Sequence, residues 1–247
     1  FVTDSGLNVY YLHRPGFKKS TAVLASPFGA LHLEQEIDGE VIKHPQGLAH
    51  FLEHKLFEDD EEDVFHAFTE VGASANAFTS YDQTMYYFNQ NNDLLDALDI
   101  LLRFVRRFDI DEKSVEKEKP IIVEEIKMYE QMPDMKLLAE TYQAVFHEFP
   151  FIYDIAGTSE SVNNTSLKDL QTAYSLNYHD QRLVLVVIGN EEPSTLKDFI
   201  NQHPQNSSND LPKVKNKTVV EPLTVNKTYH GVYESIETEK MSYSFTF

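Results

Sequence analysis

Strand-period and helix-period segments are interspersed along this chain, with hairpin signals among them and no regular βαβ alternation. That order favours an α+β fold over a doubly wound one: a mostly antiparallel or mixed sheet packed with helices. Residues 6–13 and 21–26 read as strands, and Asp38-Gly39 is a hairpin signal. Residues 73–80 and 84–90 read as a hairpin around Tyr81-Asp82-Gln83. Helical periods cover residues 45–57, 63–71, 94–105, 112–131, 134–147, 166–178 and 194–202. The apolar run 183–188, ending at Gly189, reads as a central strand, and Phe65 and Phe68 read as core. Residues 201–217 are rich in Asn, Gln, Ser, Pro and Lys and read as a linker. Residues 219–247 look β-prone, with strand-like alternation over 242–247, and are too short for a domain of their own.

The chain has 247 residues and no Cys. That excludes a disulfide framework, Cys-ligated zinc, an iron–sulfur cluster and a thiol nucleophile, and it fits a reducing, cytoplasmic location. With 21 basic and 40 acidic side chains the formal charge is −19, which argues against nucleic-acid or anionic-membrane partners. No apolar run is long enough to span a bilayer. The acidic run Glu58-Asp59-Asp60-Glu61-Glu62-Asp63 reads as a solvated loop whose carboxylates cap the next helix. Recruitment of cationic peptides is its sharper alternative.

The stretch that carries chemistry is His50-Phe51-Leu52-Glu53-His54. On a helix His50 and His54 are four apart and share a face, with Glu53 beside them, while Leu48, Phe51, Leu52 and Leu56 point elsewhere and anchor the helix. Neutral imidazoles are good zinc ligands, and a catalytic zinc takes three protein ligands plus water. A carboxylate that is not a ligand can accept the water's proton. Chance alone gives roughly 0.04 occurrences of this pattern in such a chain. A surface helix with two unrelated histidines is therefore the weaker reading.

A third ligand must come from elsewhere. In the segment 116–126, Glu118 and Glu125 are seven apart and lie on one face, with Ile122 between them. Paired inward carboxylates need a partner, and a metal with a ligating histidine supplies one. Glu124 reads as an exposed helix carboxylate. Pro120 falls inside this helix, so either the helix is kinked or a new one begins near Lys119.

Taken together, the sequence resembles the pitrilysin/insulinase family of zinc metallopeptidases, the inverzincins of H-x-x-E-H type. The matching stretches are residues 47–54, 72–80, 115–118, 124–126 and 186–190, so the resemblance runs over most of the chain. It is nearest to compact bacterial members similar to mitochondrial processing peptidase. The resemblance implies that His50 and His54 are zinc ligands, Glu125 the third ligand and Glu53 the general base. It also implies that Glu118 orients a histidine from behind, and that Asn76 and Ala77 lie on a strand where the substrate backbone adds. The cofactor implied is Zn2+, and the partner implied is a peptide substrate.

The family builds its enzyme from two related α+β domains, so the resemblance further implies a missing C-terminal half or a homologous subunit. The expected organisation is a zinc-binding peptidase domain over 1–204, a linker over 205–218, and the incomplete start of a second related domain over 219–247. The expected activity is metalloendopeptidase hydrolysis by a zinc-activated water, poor in this piece alone. The alternative is a non-catalytic or auxiliary subunit of a paired peptidase.

Overall fold

The computed structural model describes residues 1–57, 64–91, 93–203, 206, 211–217, 219–233 and 238–244. The acidic run 58–63 lies outside the described residues. In chain order the strands are β1 (Asn8–His13), β2 (Ser20–Ser26), β3 (Glu34–Ile37), β4 (Glu40–Lys43), β5 (Ala73–Thr79), β6 (Thr84–Gln90), β7 (Val184–Gly189) and β8 (Val214–Asn216). The helices are α1 (Leu48–Phe57), α2 (Val64–Glu70), α3 (Leu94–Val105), α4 (Glu112–Glu130), α5 (Pro133–Val145), α6 (Ser159–Asn164), α7 (Leu167–Asn177) and α8 (Pro193–Gln202).

The main sheet is mixed, as expected, with strand order β1-β7-β2-β6-β5. Only β1 and β7 run parallel, with Asn8 opposite Val184, while the remaining pairs are antiparallel. One face of β2 buries Ser20, Ala22, Leu24 and Ser26 in strict alternation. The same face of β6 buries Thr84, Tyr86, Phe88 and Gln90. Over this face lies α3, whose Leu94, Leu98, Leu101, Leu102 and Val105 stripe is buried. Phe68 is fully buried, but Phe65 is half-exposed and stacks on Phe57 at 4.6 Å. It sits on the outer side of a seven-residue helix that buries Val64, Ala67 and Phe68 instead.

A second, three-stranded sheet has the order β4-β3-β8. Asp38 and Gly39 both have positive φ (50° and 89°), the backbone that a two-residue hairpin turn requires. The strand β8 falls within the stretch read as a linker. Its pairing is with β3, Val214 opposite Ile37, across a distance in sequence that no local pattern reveals. A buried polar cluster secures it. The Gln35 amide Nε2 donates to Asn177 Oδ1 (3.0 Å) and Asn216 Oδ1 (2.9 Å). Gln35 Oε1 accepts from Asn177 Nδ2 (3.1 Å) and contacts His44 Nε2 (2.9 Å). Burial holds His44 down to about 4, so it is a neutral donor here.

No strand occurs among the described residues of 219–244, against the β-prone reading, and 245–247 lie outside them. The described residues of this stretch lie along α5, with no strand pairing among them. The Glu221 carboxylate accepts the backbone N–H groups of Glu148 (3.1 Å) and Phe149 (2.8 Å). Lys227 N–H donates to Ala144 O (2.8 Å). The apolar Val220, Leu223 and Tyr233 are left exposed.

The segment leading into α1 is fixed by two reciprocal glycines. Gly47 (φ 81°) and Gly157 (φ 79°) adopt left-handed backbone, and a Cβ on Gly47 would lie 2.2 Å from Ala156 O. This close approach locks the entry of α1 to the loop before α6. Across Pro120, α4 is one helix, so Glu118 and Glu125 keep their seven-residue spacing on one element. Its start is capped by Asp111, which accepts from Ser114 N–H at 2.7 Å.

Candidate metal centre

Helix α1 is almost wholly buried, with Leu48, Ala49, Phe51, Leu52 and Leu56 in the core. It packs against β5, α4 and α7. Burial of these anchors leaves His50 and His54 on the face toward α4, their ring centroids 4.5 Å apart. From α4, Glu125 Oε2 lies 3.7 Å from His50 Nε2 and 3.4 Å from His54 Nε2. Among the described residues, these three are the group of side chains whose donor atoms all lie within 4.8 Å of one another.

These separations are long for hydrogen bonds and suit a shared ion. Bonds of about 2.0–2.1 Å to a tetrahedral zinc place neighbouring donors roughly 3.3 Å apart. Two imidazoles and one carboxylate are also a donor set that zinc accepts, with a position left over. The tautomer of His54 is set from behind: its Nδ1 bonds Glu118 Oε1 at 2.9 Å, which leaves Nε2 facing Glu125. His50 Nδ1 is buried without a hydrogen-bond partner.

The charges follow from this geometry. Burial of the His54 ring opposes its charging, but the Glu118 and Glu125 carboxylates outweigh burial and lift it to about 9. His50 is pushed the other way, to about 4, by burial and by the charge on His54, against the pull of Glu125 and Glu118. The hydrogen bond to His54 holds Glu118 below the usual carboxylate range, and the close approach of His54 does the same for Glu125. The metal-free cluster is thus one charged imidazole between two carboxylates, beside a neutral imidazole.

Glu53 is 9% exposed, and its Oε2 accepts the Thr79 hydroxyl at 2.6 Å. Burial raises its pKa, with the Thr79 bond working against that rise. A carboxyl tuned upward in this way is suited to taking and returning a proton. Asn76 and Ala77 lie midway along β5, an edge strand of the main sheet, whose strand neighbour is β6. Glu124 is exposed and pairs with Lys127, as expected of a surface carboxylate. Two neighbours went unread in the sequence. Thr79 closes the strand that carries Asn76 and Ala77, and Tyr129 stands one turn beyond Glu125, where its hydroxyl helps hold that carboxylate's pKa down. Only the i,i+4 spacing hinted at Tyr129.

The model of the insulinase family, peptidase family M16, matches residues 42–159, which take in α1 and α4. The zinc protease YmfH of Bacillus subtilis is 37% identical over 225 residues, 90% of this chain and 53% of that protein. The chain is an insulinase-family domain. The crystal structure of an M16-like peptidase from Alicyclobacillus acidocaldarius shares the insulinase-family fold with a TM-score of 0.89 and 35% identity, over 92% of this chain and 54% of that one. An M16 domain from Pseudomonas fluorescens, described as inactive, has a TM-score of 0.74 at 16% identity over 90% of this chain and 53% of its own, a likeness of fold alone. This insulinase-family chain spans about half the length of the curated relatives it matches. No helix among the described residues is long and apolar enough to cross a membrane.

Proposed function

We propose that this domain is the zinc-bearing half of an endopeptidase acting on peptides or unfolded segments. The observation that supports the reading is the approach of two imidazole Nε2 atoms to one oxygen of Glu125, with Glu53 next to His54 on the same helix. His50, His54 and Glu125 would hold the zinc. Zinc held there supplies Lewis acidity, which activates water at neutral pH. Glu53 accepts the proton of the attacking water and passes it to the leaving amine. Glu118 keeps His54 in the tautomer with Nε2 free.

The open edge of β5 receives the substrate as an added strand. Ala77 N–H is bonded to the Asn76 side-chain oxygen at 2.8 Å, and an incoming peptide carbonyl takes that oxygen's place. Main-chain pairing of this kind reads few side chains, so broad sequence preference is expected. In this reading the stretch after about residue 204 leads toward a second homologous half, or a subunit supplies it. That half adds groups that hold the substrate.

A non-catalytic role in a paired peptidase is the second reading, and the inactive Pseudomonas domain of the same fold speaks for it. The complete His50, Glu53, His54 and Glu125 set favours catalysis. The zinc-loaded protein, with its homologous half present, should cut internal bonds of a quenched peptide library. A chelator should abolish cutting and added zinc restore it. Cleavage indifferent to the chelator would remove the zinc reading.

Zinc binding should also release protons in a defined way. Ligation requires a neutral imidazole. His54, at about 9, is charged at pH 7.5, whereas His50, at about 4, is already neutral. Zinc binding at pH 7.5 should therefore release close to one proton, and the release should fall toward zero above pH 9. Calorimetry in buffers of different ionisation enthalpy measures this count. The sign for the metal-free fold is the reverse: the raised His54 pKa gives stability fully present below about 6.5 and lost as pH rises through about 9.

A further inference from the structure

We propose that Thr79 is a positioning residue for the hydrolytic step, one that ties the alignment of the Glu53 base to the strand on which the substrate docks. The inference rests on the peptidase reading above. Thr79 is the last residue of β5, and its hydroxyl lies 2.6 Å from Glu53 Oε2. The direction of this bond is set by its surroundings. Thr84, opposite Thr79 in the hairpin register, lies 3.4 Å away, hydroxyl to hydroxyl. The Thr84 hydroxyl gives its one hydrogen to Phe28 O at 2.8 Å, a carbonyl that can only accept. Thr84 therefore has no hydrogen for Thr79. The Thr79 hydrogen goes to the ionised Glu53 carboxylate, which can also only accept.

The two hydroxyl hydrogens thus point apart, Thr79's to Glu53 and Thr84's to Phe28 O, and no hydrogen bond joins the two threonines. Thr84 is fully buried, and it stands opposite Thr79 in the hairpin. Glu53 is thus held by the hydroxyl of one residue of β5, three positions from Asn76 and two from Ala77. A peptide that adds to this edge orders the same strand that orients the base. Productive docking and base alignment become one event, and the base needs no rearrangement once the backbone is paired.

A valine at this position keeps the β-branched shape and loses the donor. Hydrogen bonds to a charged acceptor of this kind are worth about 10- to 100-fold in a rate. Thr79→Val should lower kcat by that factor with KM within about twofold. Thr79→Ser, which keeps the hydroxyl, should recover most of the loss. The visible spectrum of the cobalt-substituted protein should be the same in wild type, Thr79→Val and Thr79→Ser, because Thr79 touches none of the three ligands. All three are compared with Glu53→Gln in the same zinc-loaded assembly. An unchanged kcat in Thr79→Val alongside an inactive Glu53→Gln overturns the inference and leaves the peptidase reading standing. A raised KM, a lost cobalt spectrum, or failure of serine to recover the rate also overturns it, since each makes Thr79 a docking or folding residue. A wild type that cuts no peptide overturns the peptidase reading and this inference with it.

Discussion

Glu53→Gln should keep its zinc and lose hydrolysis by about 10²- to 10⁴-fold, the range that a positioned general base supplies. The substitution keeps the shape of the side chain and can still accept the Thr79 hydroxyl through its amide oxygen. It cannot take a proton from water. The proposed ligands stand on either side, His50 three residues before and His54 one after, and their donors are untouched. Peptide affinity should persist, because the backbone pairing on β5 does not involve Glu53. A trapped complex, with zinc and substrate both bound, is therefore the expected state. Burial raises the Glu53 pKa, so carrying its charge costs the fold stability. The neutral amide should leave Tm unchanged or raise it, the usual trade of stability against activity at such sites. Metal content, Tm and turnover measured on one preparation check all three points. Turnover equal to wild type would remove Glu53 as the base.

The site was legible in the sequence because its parts are set by local periodicity. His50 and His54 share a face at any helical i,i+4 spacing, and Glu118 with Glu125 does the same two turns apart. The apolar Leu48, Phe51, Leu52 and Leu56 show which side of α1 is buried. The meeting of the two helices is not local, and it rested on the family resemblance and on the cost of burying paired carboxylates. Pro120 illustrates a limit of propensity. It removes one backbone donor, yet α4 continues through it, with Val115, Ile122 and Ile126 buried on either side. Tertiary packing outweighs the local penalty.

What escaped the sequence reading is long-range or short. The strand β8 exists because Gln35, Asn177 and Asn216 satisfy one another inside the protein, and a polar stretch gives no sign of that. The helix α6 has only six residues and depends on the Thr158–Ser161 capping box. The parallel pairing of β1 with β7 joins residues more than a hundred positions apart. The bond from Thr79 to Glu53 joins a strand end to a helix, and neither segment announces it.

The second large effect is expected from Glu125→Ala. Dividing the roughly 10–16 kcal/mol of zinc binding at protein sites among four ligands gives about 3 kcal/mol each, a loss of about 100- to 1,000-fold in affinity. Both histidines face this one carboxylate oxygen, so its removal opens the side of the cluster that α4 supplies. It also takes away one of the two carboxylates that keep His54 charged in the metal-free state. The number of protons released on zinc binding at pH 7.5 should fall along with the affinity. Glu118→Ala should behave differently, costing about 10- to 100-fold, because Glu118 bonds His54 Nδ1, away from the proposed ion. The most direct measurement is a zinc titration of metal-free wild type and Glu125→Ala at pH 7.5. Wild type should take one tight zinc per chain, and the variant should bind it at least about 100-fold more weakly. Equal affinities, or no tight zinc in wild type, would contradict a metal centre built from His50, His54 and Glu125.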